Sequence, residues 1–288
     1  MDHTVQTNAM SVDVEDYFQV SAFENIVARS DWASVTCRVE SNTNQILDLF
    51  DDTETVATFF ILGWVAERYP QLVREIVLRG HEVGSHGFAH IRATQQSPPE
   101  FRSDVEVTKK ILEDITGEPV IGYRAASFSI AKSNLWVHQE LADAGYEYSS
   151  SVYPVRHDLY GIPDAPRDPF LVKDIGILEI PLTTAQVLGR NLPAGGGGYF
   201  RLLPYGYSRW AIHRRNNLDS QPAVFYFHPW EIDAEQPRFQ APLKTTIRHY
   251  SNLSSMSAKL RRLTSEFRWR SMREIFLGRD WKTLSLAA

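Results

Sequence analysis

Cysteine is nearly missing: Cys37 is the sole one in 288 residues. One thiol excludes an intrachain disulfide and a structural zinc site built from cysteines. Long hydrophobic runs are missing as well. No apolar stretch approaches the ~18 residues that would span a bilayer. Residues 1–8 have neither the basic start nor the apolar centre of a secretory leader, so a soluble, cytoplasmic chain is expected. Nor is there a basic excess. The formal net charge is −5, which argues against nucleic acid as a partner. What is present is an ordinary globular mixture, 43% hydrophobic and 23% charged. That is ample for a core and unlike disordered or collagen-like chains.

Short apolar runs alternate with amphipathic stretches. Residues 10–14 read as a strand, and 55–62 as a stronger one rich in β-branched and aromatic side chains. Pro70 opens a helix with Leu72, Val73, Ile76 and Val77 at helical spacing, and Gly80 stops it. A short strand over 82–85 follows. Residues 101–116 are helical, with Val105, Thr108, Ile111, Leu112 and Ile115 on one face and Gly117 and Pro119 as the stop. Strands over 120–123, 176–182 and 223–227 and a helix over 135–144 complete the pattern. Strand–helix alternation predicts an α/β fold with a mostly parallel sheet or barrel, and the length suits one such domain better than two.

Three segments stand apart. Residues 153–175 hold Pro154, Pro163, Pro166 and Pro169 and read as a long irregular excursion. The run of glycines at 195–198 allows close backbone approach or hinge motion, or is a flexible surface loop. It lacks the Gly-Lys-Ser/Thr ending of a phosphate loop. Residues 244–282 carry ten Lys/Arg against three acids. That stretch would attract an anionic polymer or membrane surface, or form a solvated, internally paired face.

Four clusters carry the chemistry. Asp13, Glu15 and Asp16 crowd the end of the first strand, and strand ends build the sites of parallel α/β folds. Alternation puts Asp13 and Glu15 on one face if the strand continues; alone, the cluster reads as a charged loop. His86 and His90 lie within Gly-His-Glu-Val-Gly-Ser-His-Gly-Phe-Ala-His, and one helical turn would bring both imidazoles to one face. Two histidines with a carboxylate form an open metal-site pattern. Arg124, in Gly-Tyr-Arg-Ala, can orient a carboxylate through a bidentate pair; otherwise it is a surface ion pair of little weight. His228 ends an apolar strand before Pro229 and Trp230, a suitable place for proton transfer or for a buried, hydrogen-bonded histidine.

In this order the four strings resemble the polysaccharide deacetylases (NodB homology, carbohydrate esterase family 4) over residues 9–235. Three further strings are similar to the deacetylases encoded with exosortase (PEP-CTERM) exopolysaccharide loci. These are Ser-Val-Asp-Val-Glu-Asp-Tyr-Phe, Gly-Gly-Gly-Gly-Tyr-Phe-Arg-Leu-Leu-Pro-Tyr and Arg248-His249-Tyr250-Ser251-Asn252-Leu253, and they extend the likeness to nearly the whole chain. The resemblance implies a distorted (β/α) barrel over 9–235, with fewer strands than the eight-stranded form, and a basic C-terminal extension over 236–288 packed on it.

The resemblance also implies a reaction: removal of N-acetyl groups from amino sugars of an exopolysaccharide or its lipid-linked precursor, with one divalent metal, zinc first. Carried over, Asp13 is the general base, Arg124 its orienter, His86 and His90 metal ligands, and His228 the general acid. Relatives with an Asp-x-Asp spacing point to Glu15 as third ligand, with Asp16 as the alternative. Ala125 and Ala126 stand where the family has prolines, and nothing near 148–151 matches the acid and Trp of its fourth motif. Trp230, Tyr199 and Phe200 are candidates for stacking on sugar rings, a rarer role for aromatics than core packing. The implied partner is an N-acetylated glycan, with peripheral contact to a membrane or an exopolysaccharide assembly complex. Two other readings use the same residues: a small cyclic amide or ureide hydrolase on this fold, and a non-catalytic glycan-binding protein. The latter would not need both a base and an acid.

Overall fold

The computed structural model describes residues 6–157 and 160–286. Residues 1–5 of the stretch read for a leader, and 158–159 of the irregular excursion, lie outside the described residues. The strands are β1 (Thr7–Val14), β2 (Thr58–Ile61), β3 (Glu82–Ser85), β4 (Gly122–Tyr123), β5 (Tyr148–Ser149), β6 (Phe170–Val172), β7 (Leu178–Glu179), β8 (Thr184–Val187), β9 (Arg190–Pro193), β10 (Val224–Phe227), β11 (Arg268–Arg270) and β12 (Thr283–Leu284). The helices are α1 (Val39–Asp52), α2 (Gly63–Arg68), α3 (Pro70–Leu78), α4 (Pro98–Thr116), α5 (Val137–Asp143), α6 (Gly197–Leu202), α7 (Tyr205–Asn217), α8 (Leu243–Tyr250), α9 (Met256–Glu266) and α10 (Met272–Phe276).

The strands read nearly all apolar because both faces of the sheet are covered. Along β1, Ala9, Ser11 and Asp13 point inward, and Met10, Val12 and Val14 point to the helices. β2 splits the same way, with Phe60 inside and Phe59 and Ile61 outside. The outer layer packs these side chains against Ile46, Leu47 and Phe50 of α1, Leu72 and Ile76 of α3, and Phe101, Val105 and Leu112 of α4. The inner cluster joins Phe60, Tyr148, Leu178 and Tyr226 to Met272, Ile275 and Phe276 of α10, which stops the lower mouth.

Pairing runs in the order β10-β1-β2-β3-β4-β5-β7, and these neighbours are parallel. β6 lies antiparallel on β7, with β12 beyond it. The sheet is curved: Arg124, just past β4, reaches Ser11 on β1, and Phe128 meets Tyr226 of β10 with ring centroids 4.7 Å apart. Among the described residues no ladder closes β7 onto β10. The gap is bridged by irregular chain. Val224 N donates to Thr183 Oγ1 (2.6 Å) and Tyr226 N to the Gly195 carbonyl (2.7 Å).

That bridge accounts for the glycine run. A Cβ at Gly195 would sit 2.4 Å from the Val224 carbonyl oxygen, and one at Gly196 would sit 2.8 Å from the Tyr226 ring. Gly195, Gly196 and Gly197 are buried, so close approach is what they provide, and the surface-loop alternative is set aside. The described residues of the excursion over 153–175 are irregular apart from β6. The later segment contributes to the sheet directly. β11 pairs with Thr7–Ala9 of β1, on the edge whose other half pairs with β2. Its basic side chains are partly paired inside the molecule: Lys259 donates to the carbonyls of Phe200, Arg201 and Leu203, and Arg261 pairs with Asp52. No helix among the described residues is long and apolar enough to cross a membrane.

Candidate active site

The site sits where the inner strand ends converge. β1 stops at Val14, and Glu15 N turns back onto the Asp13 carbonyl (3.0 Å). Asp13 and Glu15 therefore share the cleft through a tight turn, not through continued strand alternation. Asp16 is turned away. Its carboxylate accepts from the backbone N–H groups of Tyr17 (2.9 Å), Arg38 (2.7 Å) and Val39 (3.0 Å), holding the start of α1. The Asp16 oxygens are thus committed to a helix start, and Asp16 does not line the cleft.

Arg124 is fully buried. It donates to Asp13 Oδ1 (2.6 Å), Ser11 Oγ (2.8 Å), Ser150 Oγ (3.0 Å) and the Ser150 carbonyl (3.1 Å), and its guanidinium lies 4.3 Å from the Phe60 ring centre. A buried cation so fully bonded fixes Asp13 in place and keeps its negative charge compensated.

His86 follows β3 and His90 closes the next loop, with ring centroids 5.3 Å apart. The expected helical turn is absent. The chain turns at Gly87 (φ +73°), where Phe88 N bonds Asp104 Oδ1 (2.8 Å), and His90 itself has φ +50°. Ser127 and Phe128, across the cleft, also have positive φ (53° and 50°). Strained backbone outside glycine is common at functional sites, and three of the eight such residues among those described line this cleft. His86 Nδ1 donates to the Arg124 carbonyl (2.8 Å), which leaves Nε2 with its lone pair toward the cleft. Burial holds His86 in the neutral form, its pKa lowered to about 4.

Glu15, His86 and His90 each offer a ligand atom within 4.8 Å of the others, and all three are buried. Glu15 Oε2 has no hydrogen-bond donor and lies 2.9 Å from His90 Nε2. An acceptor set of two imidazoles and one carboxylate, with an orphaned oxygen at its centre, fits a divalent cation with an open position.

His228 closes the opposite wall. Its Nδ1 meets Glu231 Oε1 (2.8 Å) and its Nε2 lies 3.3 Å from Glu15 Oε1. Burial would lower its pKa, but Glu15 and Glu231 outweigh this and raise it to about 9. Glu231 is buried too. Burial works against its ionisation, yet Arg201 and His228 bring its pKa to about 2. Arg201 Nε donates to Glu231 Oε2 at 2.6 Å. Neither Glu231 nor Arg201 emerged as a site residue from the sequence. Glu231 stands three residues past His228, and Arg201 lies in the glycine-rich string.

The cleft encloses about 270 Å³. Trp230 lines it, stacked between His228 (5.2 Å) and His249 (4.1 Å). Phe200 does not line it. It is buried against Phe225 (5.1 Å) and Tyr205, so its sequence assignment as a sugar platform is corrected to a core residue. Tyr199 is also absent from the lining, whereas Tyr160 and Phe128 are present.

Two sequence families match adjoining parts of the chain. Residues 31–149 match the polysaccharide deacetylase family, and residues 150–277 match a domain of unknown function (DUF3473). The first match holds His86, His90 and Arg124; Asp13 and Glu15 precede it, and Arg201, His228 and Glu231 fall in the second. A peptidoglycan-N-acetylglucosamine deacetylase of Bacillus cereus is 35% identical over 79 residues, 27% of this chain and 37% of that protein. The peptidoglycan-N-acetylmuramic acid deacetylase PdaC of Bacillus subtilis is 36% identical over 77 residues, 27% of this chain and 16% of that protein. A chitooligosaccharide deacetylase of Azorhizobium caulinodans is 28% identical over 88 residues, 31% of this chain and 42% of that protein. The matched stretches thus span less than half of each relative.

Among solved structures, a candidate polysaccharide deacetylase from Mycobacterium smegmatis superposes with a TM-score of 0.60 at 15% identity, covering 99% of this chain and 96% of the other. A CE4-family pseudoenzyme from Bacillus anthracis gives 0.51 at 13% identity, covering 98% and 68%. A pseudoenzyme on this fold means that fold alone does not carry activity; the side chains must. Residues 31–149 are thus similar in sequence to the polysaccharide deacetylase family, and nearly the whole chain shares the fold of the solved structure from Mycobacterium smegmatis.

Proposed function

We propose that this protein is a metal-dependent hydrolase that removes N-acetyl groups from amino sugars of an exopolysaccharide or its lipid-linked precursor. The observation that carries the reading is the meeting in one cleft of the Asp13–Arg124 pair, the Glu15–His86–His90 triad and His228 on Glu231. Glu15, His86 and His90 would hold a divalent cation, zinc by its donor set, which when bound supplies Lewis acidity toward water and toward the amide carbonyl.

The chain's own residues perform the proton transfers. Asp13 accepts a proton from the attacking water, its orientation set by Arg124. A C–O bond forms at the acetyl carbon and the C–N bond to the sugar breaks. The amine leaves only as its protonated form, and His228, kept protonated by Glu231, delivers that proton. Glu231 holds the ring through Nδ1, so the donating proton sits on Nε2, facing the cleft. Arg201 holds Glu231 in turn. The products are acetate and a free amino sugar. A lipid-linked substrate would require access to a membrane or to an exopolysaccharide assembly complex, and the deacetylases encoded at exosortase loci are the setting that the sequence resembles.

The test pairs metal content with acetate release. Elemental analysis after zinc loading should give about one metal per chain, as for an open catalytic zinc site, and His86→Ala should lose most of it. Wild type should release acetate from N-acetylated oligosaccharides. Wild type without metal, or loaded with metal and silent on every N-acetylated glycan tried, would overturn the reading.

A further inference from the structure

The mouth of the cleft has a surface unlike the rest of the molecule. α8 turns Thr245, Arg248 and His249 toward the cleft and leaves Leu243 and Ile247 in solvent, 74% and 49% exposed. Positions four apart share one stripe of a helix. Leu243 and Ile247 therefore make an apolar stripe, with Lys244 and Arg248 as a basic stripe beside it. The helix is firmly held. Buried Arg201 donates to the carbonyls of Arg248 (3.0 Å), His249 (3.1 Å) and Ser251 (2.6 Å). The His249 ring stacks on Trp230 and bonds Gln236 Oε1 (2.8 Å). Rolling the helix to hide its leucine and isoleucine would break these bonds, so the exposure belongs to the folded state.

Charge along this stretch of sequence points one way, although Lys259, Arg261 and Arg262 are bonded elsewhere in the molecule. Residues 236–265 contain six Lys/Arg and no Asp or Glu, in a chain whose formal charge is −5. Arg238, Lys244 and Arg248 are exposed. Two apolar side chains on an eight-residue helix are far short of the ~1,200–2,000 Å² of a stable protein interface. A basic, shallowly apolar helix suits the boundary between lipid headgroups and acyl chains.

We propose that α8 docks on an anionic lipid bilayer. Leu243 and Ile247 enter the headgroup boundary, and Arg238 and Lys244 lie among the lipid phosphates. Because the same helix walls the cleft, docking opens the cleft beside the membrane surface. The usefulness of that placement rests on the proposed deacetylation; the binding itself does not.

Co-sedimentation of the full chain with vesicles tests this directly, using phosphatidylcholine alone and phosphatidylcholine with phosphatidylglycerol. Binding should favour the phosphatidylglycerol vesicles by roughly fivefold per engaged basic residue and weaken as salt is added. Leu243→Ser/Ile247→Ser should weaken binding by about tenfold or more, and Arg238→Glu/Lys244→Glu should erase the preference for phosphatidylglycerol. Both variants should keep wild-type turnover on a soluble N-acetylchitooligosaccharide, since none of the four residues lines the cleft. Wild type left in the supernatant with phosphatidylglycerol vesicles, or both variants pelleting like wild type, overturns the proposal. A concentration-dependent dimer broken by Leu243→Ser/Ile247→Ser, without vesicle binding, assigns the face to a second copy and overturns it likewise. Loss of turnover in wild type on every soluble substrate would count against the reaction alone, because vesicle binding is read without substrate.

Discussion

Asp13 depends on a single buried guanidinium. Arg124 has no solvent exposure and distributes its donors over Asp13, Ser11 and Ser150. Asp13→Asn keeps the shape but cannot take a proton. Turnover should fall by about 10²–10⁴, the usual contribution of a general base, while elemental analysis still finds wild-type metal content. At the other wall, the negative Glu231 favours protonated His228. Glu231→Gln removes that charge, so His228 should lose its proton at lower pH. The alkaline limb of the kcat profile should then move to lower pH; an unmoved limb would separate Glu231 from the acid. Asp13, Arg124, His86, His90 and His228 were legible because each sits in a compact string of residues suited to one chemistry. Arg201 was not, because its bond to Glu231 spans 30 positions and exists only after folding. The choice between Glu15 and Asp16 was equally hidden. It turns on which carboxylate meets the start of α1, and no local period encodes that.

Elements were read well where a pattern repeats and poorly where the chain turns. The strand over 82–85 and the helix opening at Pro70 match β3 and α3 because alternation and capping signals are local. The strand expected over 176–182 pairs as a ladder only at Leu178–Glu179, since the chain beyond it leaves the ladder to bridge toward β10. The histidine pair followed a glycine turn anchored by Asp104, not a helix, because the anchor comes from α4. The glycine run offers a sharp contrast. A Cβ at Gly197 would lie 2.2 Å from Glu231 Oε1, which Arg201 and His228 prevent from retreating. Gly197→Ala should cost about 1–3 kcal/mol, as overpacking does, and should also lower kcat by displacing Glu231. One position on, a Cβ at Gly198 meets nothing within 4 Å, so Gly198→Ala inside α6 should leave the melting temperature unchanged or raise it slightly. Thermal melts of the two variants check the pair.

At the scale of the whole molecule, alternation predicted the parallel sheet, and the resemblance implied a barrel with fewer strands. No local pattern signals that residues beyond 235 enter that sheet, because β11 is three residues long and reads as a basic patch, Arg-Trp-Arg. A chain ended after residue 235 would lose β11, the α10 stop, and the carbonyls that hold Arg201. It should show no cooperative thermal transition, whereas the full chain should melt in one step; a folded, active truncation would show that the later segment is dispensable.

The position of β1 also sets the order of events during synthesis. This strand carries Asp13, the proposed base, and Ser11 bonds a carbonyl 214 positions further on. Its remaining edge is filled by residues 268–270. While the chain is being made, β1 leaves the ribosome long before residues 224–227 and 268–270, and it keeps open edges until they arrive. Contacts this distant in sequence slow folding, and an unfilled edge invites pairing with a neighbouring chain. Asp13 and His228 thus meet only in one late step, and half-made chains lack the assembled cleft.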